Sequence, residues 1–126
     1  MTKQDRAKAL RSDPKIHYNC AQAVLMPFAE ECGLREEDAC RLAAHFGGGM
    51  RMGSVCGAVT GAMMALGGAG CDDEARKALV SEFKEKNGCL NCADLLKKAT
   101  EAGEERKAHC DRMVDDCVVM LEKLIK

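Results

Sequence analysis

Apolar residues in this chain recur three and four positions apart, the spacing that places side chains on one face of an α-helix. After Asn19, a favoured N-cap, Ala21, Val24, Leu25 and Phe28 fall on one side, with Cys20 at the first helical position. Pro27 predicts a kink, because its ring clashes with the Ala23 carbonyl, and Gly33 suits the C-terminal cap. Arg35 to Phe46 repeats the pattern with Ala39, Leu42, Ala43 and Phe46 inward, and it ends in a run of three glycines. Asp72 caps the next clear helix, which has Asp73 and Glu74 in its first turn and Ala75, Leu79 and Phe83 on its buried face. Asn87-Gly88 stops it. Asn91 opens a short helix through Leu95 and Leu96, and a last one from Glu104 to Ile125 aligns Cys110, Val114, Cys117, Leu121 and Leu124. Residues 2–11 predict a short polar helix that ends before Pro14. No alternating β-branched run occurs. The expected fold is all-α, a single domain over residues 1–126 with five to six helices around one core and residues 1–12 as a peripheral segment.

The stretch from Phe46 to Gly68 organises the rest. Three glycines lead through a lone cysteine into small and apolar residues. Ser54 is a candidate N-cap, which would put Cys56 in a first turn where free amides and the helix dipole favour a thiolate. Gly57 and Gly61 lie one turn apart, beside Ala58, Ala62 and Ala65. A mid-helix glycine costs about 1 kcal/mol relative to alanine, so close approach of another backbone is expected to offset that cost. Met52 to Cys71 carries no charge, which raises the question of a membrane span. Its helical part, Val55 to Leu66, falls well short of the roughly 20 residues a bilayer needs. The segment is expected in a protein core, with no membrane span.

Composition changes this picture in one respect. The chain has 126 residues, 47% apolar and 31% charged, as expected of a folded domain. A net charge of −1 and only four aromatic residues argue against nucleic acid as a partner. Nine cysteines, however, are more than packing requires. The N-terminal residues are charged and lack an apolar signal core, so a cytoplasmic location is expected. Clustered cysteines there more often mean metal or redox chemistry than structural disulfides.

Cys20, Cys56 and Cys92 each fall at an expected helix start, and Cys110 lies near another. If those ends converge, four thiols share an electropositive pocket. Such a pocket suits thiol–disulfide exchange, in which one thiolate attacks and a neighbour resolves. It equally suits a four-cysteine site for zinc or an iron–sulfur cluster, with Cys89 and His109 as further candidate ligands. Cys56 is the expected first thiol to react and Cys20 the second. Cys40 and Cys117, and with less force Cys32 and Cys71, read as small buried hydrophobes. The Cys89–Cys92 CxxC lacks the βαβ setting of a thioredoxin, and Ala93 after Cys92 excludes a c-type haem site. The glycine run fits neither a P-loop nor a dinucleotide fingerprint.

Taken together, Tyr18-Asn19-Cys20-Ala21-Gln22-Ala23-Val24, Phe46-Gly47-Gly48-Gly49, Cys56-Gly57-Ala58-Val59-Thr60-Gly61, Cys92-Ala93-Asp94-Leu95-Leu96 and Cys110 ahead of Met113-Val114 resemble a family of redox-active proteins. That family is named for its C…CGAxxG…C…C motif. The resemblance implies a small, mostly helical protein whose family cysteines correspond to Cys20, Cys56, Cys92 and Cys110. It also implies an unidentified redox partner and a link to transporters, with no established reaction. Cys32, Cys40, Cys71, Cys89 and Cys117 depart from the pattern. Whether the chain acts as an oxidoreductase, an electron carrier or a metal-binding module stays open on the residues, as does its oligomeric state.

Overall fold

Side-chain caps set most of the helix starts, so the elements begin where local chemistry dictates. Thr2 and Asp5 form a capping box ahead of α1 (Lys3–Arg11), and Asn19 and Gln22 form another ahead of α2 (Cys20–Leu25). Asp72 accepts from the Ala75 amide to open α5 (Asp73–Asn87), and Asn91 accepts from the Asp94 amide to open α6 (Cys92–Glu101). The remaining helices are α3 (Glu36–Leu42), α4 (Gly57–Gly68) and α7 (Arg106–Leu124). The computed structural model describes residues 1–125. Among them there is no β-strand, only one isolated antiparallel bridge between Val55 and Asn91.

The fold is therefore all-α, with seven α-helices among the described residues rather than five to six. Both α1 and α6 are separate elements that pack on α7. Pro27 replaces a kinked helix with two successive 3₁₀ turns, Met26–Phe28 and Glu30–Cys32, closed by Gly33 at φ 69. The core is built where α7 lies across α4, α2 and α1, and it holds Leu25, Phe28, Leu79, Phe83, Met113 and Leu121 without water contact. The most extensive packing joins α2 to α4. A Cβ at Gly61 would lie 2.6 Å from the Ala21 carbonyl oxygen, and one at Gly57 3.0 Å from the Phe46 carbonyl oxygen. The CGAxxG glycines thus let α4 touch neighbouring backbone, and packing offsets their intrinsic helix cost.

Four local expectations differ from the structure. Cys56, not Ser54, occupies the N-cap of α4, because Ser54 is held in the bridge to α6. Leu42 is exposed: α3 ends there, and Ala39 and Ala43 take the inward positions. The α4 helix continues through Gly67 and Gly68, since Gly68 packs closely against Cys32. The N-terminal segment is not peripheral to the core, to which α1 contributes Ala7 and Leu10.

Candidate thiol site

Two chain segments form the floor of the site by a reciprocal clamp. The Cys56 amide donates to the Leu90 carbonyl at 2.8 Å, and the Cys92 amide donates to the Ser54 carbonyl at 2.6 Å. These bonds hold the starts of α4 and α6 side by side. Asn19 brings in the third start: its Nδ2 donates to the carbonyls of Ala43 and Ala44, both at 3.1 Å, tying α2 to the end of α3. Between α3 and α4, the chain turns through a left-handed loop in which Gly48, Gly49, Met50, Arg51 and Gly53 have φ of 60 to 70. Gly49 is required there, because a Cβ would meet Ser54 backbone at 2.5 Å and the Cys92 side chain at 2.8 Å. Met50 and Arg51 hold the same region without being glycine, a conformation that costs non-glycine residues about 1–3 kcal/mol.

Cys20, Cys56, Cys92 and Cys110 all line one cavity of about 310 Å³. Arg11, His17, Arg106, Lys107 and His109 line it too, with Leu95, Leu96 and Met113 supplying apolar wall. Arg11 is the inner cation. Its side chain is only 7% exposed, and it is held by Asp111 at 2.7 Å and by donation to the Tyr18 carbonyl at 2.9 Å. Such a buried charge persists because it is paired on both sides.

The four thiols differ sharply in their electrostatics. Cys20 and Cys110 line the same cavity and shift one another in opposite directions, Cys20 upward and Cys110 downward. The interaction with Cys20, aided by the charges of Arg11 and Arg106, outweighs burial and lowers Cys110 to about 6. The same pairing, together with burial, pushes Cys20 well up. Cys56 is pushed to about 11 by burial, against the opposing pull of the Ala58 and Val59 amides. Burial also raises Cys92, with the charge of Cys110 adding to it. These shifts run against the expected acidity of Cys56 and Cys20. The helix-start position of Cys56 does favour its thiolate, but withdrawal from water outweighs it, whereas Cys110 is the thiol that is lowered.

The other cysteines lie elsewhere. Cys89 is half-buried and does not line the cavity, so the CxxC contributes one sulfur to it. Cys117 is wholly buried behind the site, where burial and the nearby Cys56 raise it further. Cys32 donates to the Ala65 carbonyl at 3.5 Å, Cys71 reaches the Leu124 carbonyl at 4.0 Å, and Cys40 accepts from Gln22 at 3.4 Å. His109 lines the cavity, but its Nδ1 is buried 3.6 Å from Glu104 with no hydrogen-bond partner. Burial lowers its pKa, so it is neutral near pH 7. Among the described residues no three His, Cys, Asp or Glu side chains stand close enough to share an ion. No helix of the described residues is long and apolar enough to cross a membrane.

The cations were the part of the site not anticipated from the residues. Arg106 lies four positions before Cys110 on the same helix face, a relation legible in the sequence. Arg11 arrives from α1 through tertiary packing and leaves no such trace.

Fold and site together define a small helical protein with four thiols around a basic cavity. The family model described as "Putative redox-active protein (C_GCAxxG_C_C)" matches residues 18–124, and the chain belongs to that family. No curated protein and no solved structure matches it.

Proposed function

We propose that the chain is a thiol–disulfide exchange protein of a reducing, cytoplasmic setting, with Cys110 as the attacking thiolate and Cys20 as the resolving thiol. The observation that carries this reading is the placement of Cys20 and Cys110 in one cavity beside the buried Arg11. The Cys110 thiolate attacks one sulfur of a substrate disulfide. A Cys110–substrate disulfide forms, the substrate sulfur–sulfur bond breaks, and the departing thiolate takes the proton from Cys20. The Cys20 thiolate then attacks the Cys110 sulfur, and the second half of the substrate leaves as its thiolate. The substrate disulfide is reduced by two electrons and the protein pair is oxidised. An external dithiol restores the pair by the reverse exchange. Cys56 and Cys92, raised by burial, are second-rank thiols of the same cavity, available to accept the disulfide from the first pair.

The test is oxidation of the reduced chain by one equivalent of a small disulfide, followed by peptide mapping. A Cys20–Cys110 link is expected, with a stable mixed disulfide on Cys110 in C20S. A first link that leaves Cys110 out would overturn the assignment.

A further inference from the structure

Beside the thiol cavity lies an outer lobe of about 480 Å³, which shares Asn19, Gly48, Cys92, Leu96 and Arg106 with it and adds Arg51 and Met52. Neither lobe has a carboxylate among its lining residues. Four cations line them. Arg11 and Lys107 in the inner lobe share one carboxylate, Asp111, which stands outside the wall. Arg106, at the junction, and Arg51, in the outer lobe, have no ion-pair partner among the described residues. Arg51 is placed on this wall by a left-handed backbone that glycine would adopt more readily. Cys110 lines the inner lobe only, whereas Cys92 and Arg106 line both.

We infer that the outer lobe is an anion subsite and that the substrate class is a small disulfide carrying carboxylate groups. The inference rests on the thiol-exchange reading above. The sulfur–sulfur bond enters the inner lobe to meet Cys110. The carboxylate of one arm stays outside, against the guanidinium groups of Arg51 and Arg106, which bind carboxylates in bidentate fashion. A basic cleft with apolar walls also concentrates anions before contact.

The experiment compares single-turnover oxidation of the reduced full-length chain by three symmetrical disulfides of similar arm length. They are 3,3′-dithiodipropionate (anionic), bis(2-hydroxyethyl) disulfide (neutral) and cystamine (cationic), each rate normalised to that with free 2-mercaptoethanol. The anionic disulfide is expected to react at least about tenfold faster than the neutral one, and the cationic one slowest. The preference is expected to shrink in R51Q and in high salt. R51G serves as the second variant, since glycine accepts the local backbone while removing the charge. R106Q is expected to slow all three reagents, because Arg106 also supports the Cys110 thiolate, and to reduce the ratio between them. Equal normalised rates for the three disulfides, or an unchanged preference in both Arg51 variants, overturn the anion subsite while leaving thiol exchange standing. Failure of all three to oxidise any thiol overturns both readings.

Discussion

The first turns and the middle of α7 carry the same residue type into opposite environments. Cys110 and Cys117 sit on one stripe of that helix, two turns apart. Around Cys110 the helix faces a water-accessible cavity, with Arg106 on its own face and Arg11 from α1 nearby. Around Cys117 it faces α4 and the core, where Val114, Val118 and Leu121 exclude water. The first thiol is held at about 6, and the second is driven well above the ordinary value. Helical periodicity alone makes the pair equivalent. What separates them is the cost of taking a thiolate out of water and, at Cys110 only, the neighbouring Cys20 and then the cations that offset it.

The sharpest way to break this comparison is to remove each sulfur in turn. At pH 7 most of Cys110 is thiolate, whereas Cys56 at about 11 is almost wholly protonated. Allowing for the lower intrinsic nucleophilicity of the more acidic thiol, Cys110 is expected to react roughly 50-fold faster than Cys56. C110S should lose that fast phase in limiting alkylation read by peptide mass spectrometry, and C117A should keep it. Fast labelling of Cys117 in the native protein would show that the middle of α7 is open and end the contrast.

The core is tested next through its close contacts. G61V pushes side-chain atoms into the Ala21 backbone and is expected to destabilise by about 1–3 kcal/mol or more, measured by chemical denaturation. Gly67 lies in the same helix with nothing within 4 Å of a built Cβ. G67A should therefore stabilise, by up to about 1 kcal/mol. Equal effects of the two would mean that α4 does not meet α2 through Gly61.

A smaller effect separates the two environments by pH. Cys110 in the folded chain lies below the ordinary thiol value of 9.0, so its contribution to stability is complete above 9.0 and is lost as pH falls toward about 6. Cys56 lies above that value, so its contribution is complete below 9.0 and is lost as pH rises toward about 11. Thermal stability of the reduced protein should accordingly rise from pH 6 toward pH 8.5, relative to C110S. It should then fall at higher pH in both proteins. A rise of the same size in C110S would assign it to other groups.

The least disruptive change acts on the clamp. N91A removes the side chain that caps α6 and should cost about 0.5–2 kcal/mol. Because it loosens the start that carries Cys92, it should also change the labelling of Cys92 more than that of Cys117. Unchanged melting would show that the bridge to Ser54, rather than the cap, holds α6 in place.

Local sequence by itself determined the helices and where three of the thiols would stand. Asn19 and Asn91 place Cys20 and Cys92 at first helical positions because a short polar side chain satisfies amides only a few residues away. Gly57 and Gly61 declared a tight contact because nothing else explains two glycines one turn apart inside a helix. Tertiary structure alone decided which thiol is acidic. Ser54 reads as a cap until its carbonyl is engaged by Cys92, a partner dozens of residues away. Cys56 reads as the reactive thiol until the chain closes over it, and Cys110 becomes acidic only when α2 supplies Cys20 and α1 supplies Arg11. Caps and periodicity are short-range, set by hydrogen bonds and side-chain directions within a turn or two. Desolvation and charge pairing act through space, between residues whose nearness exists only once the helices have packed.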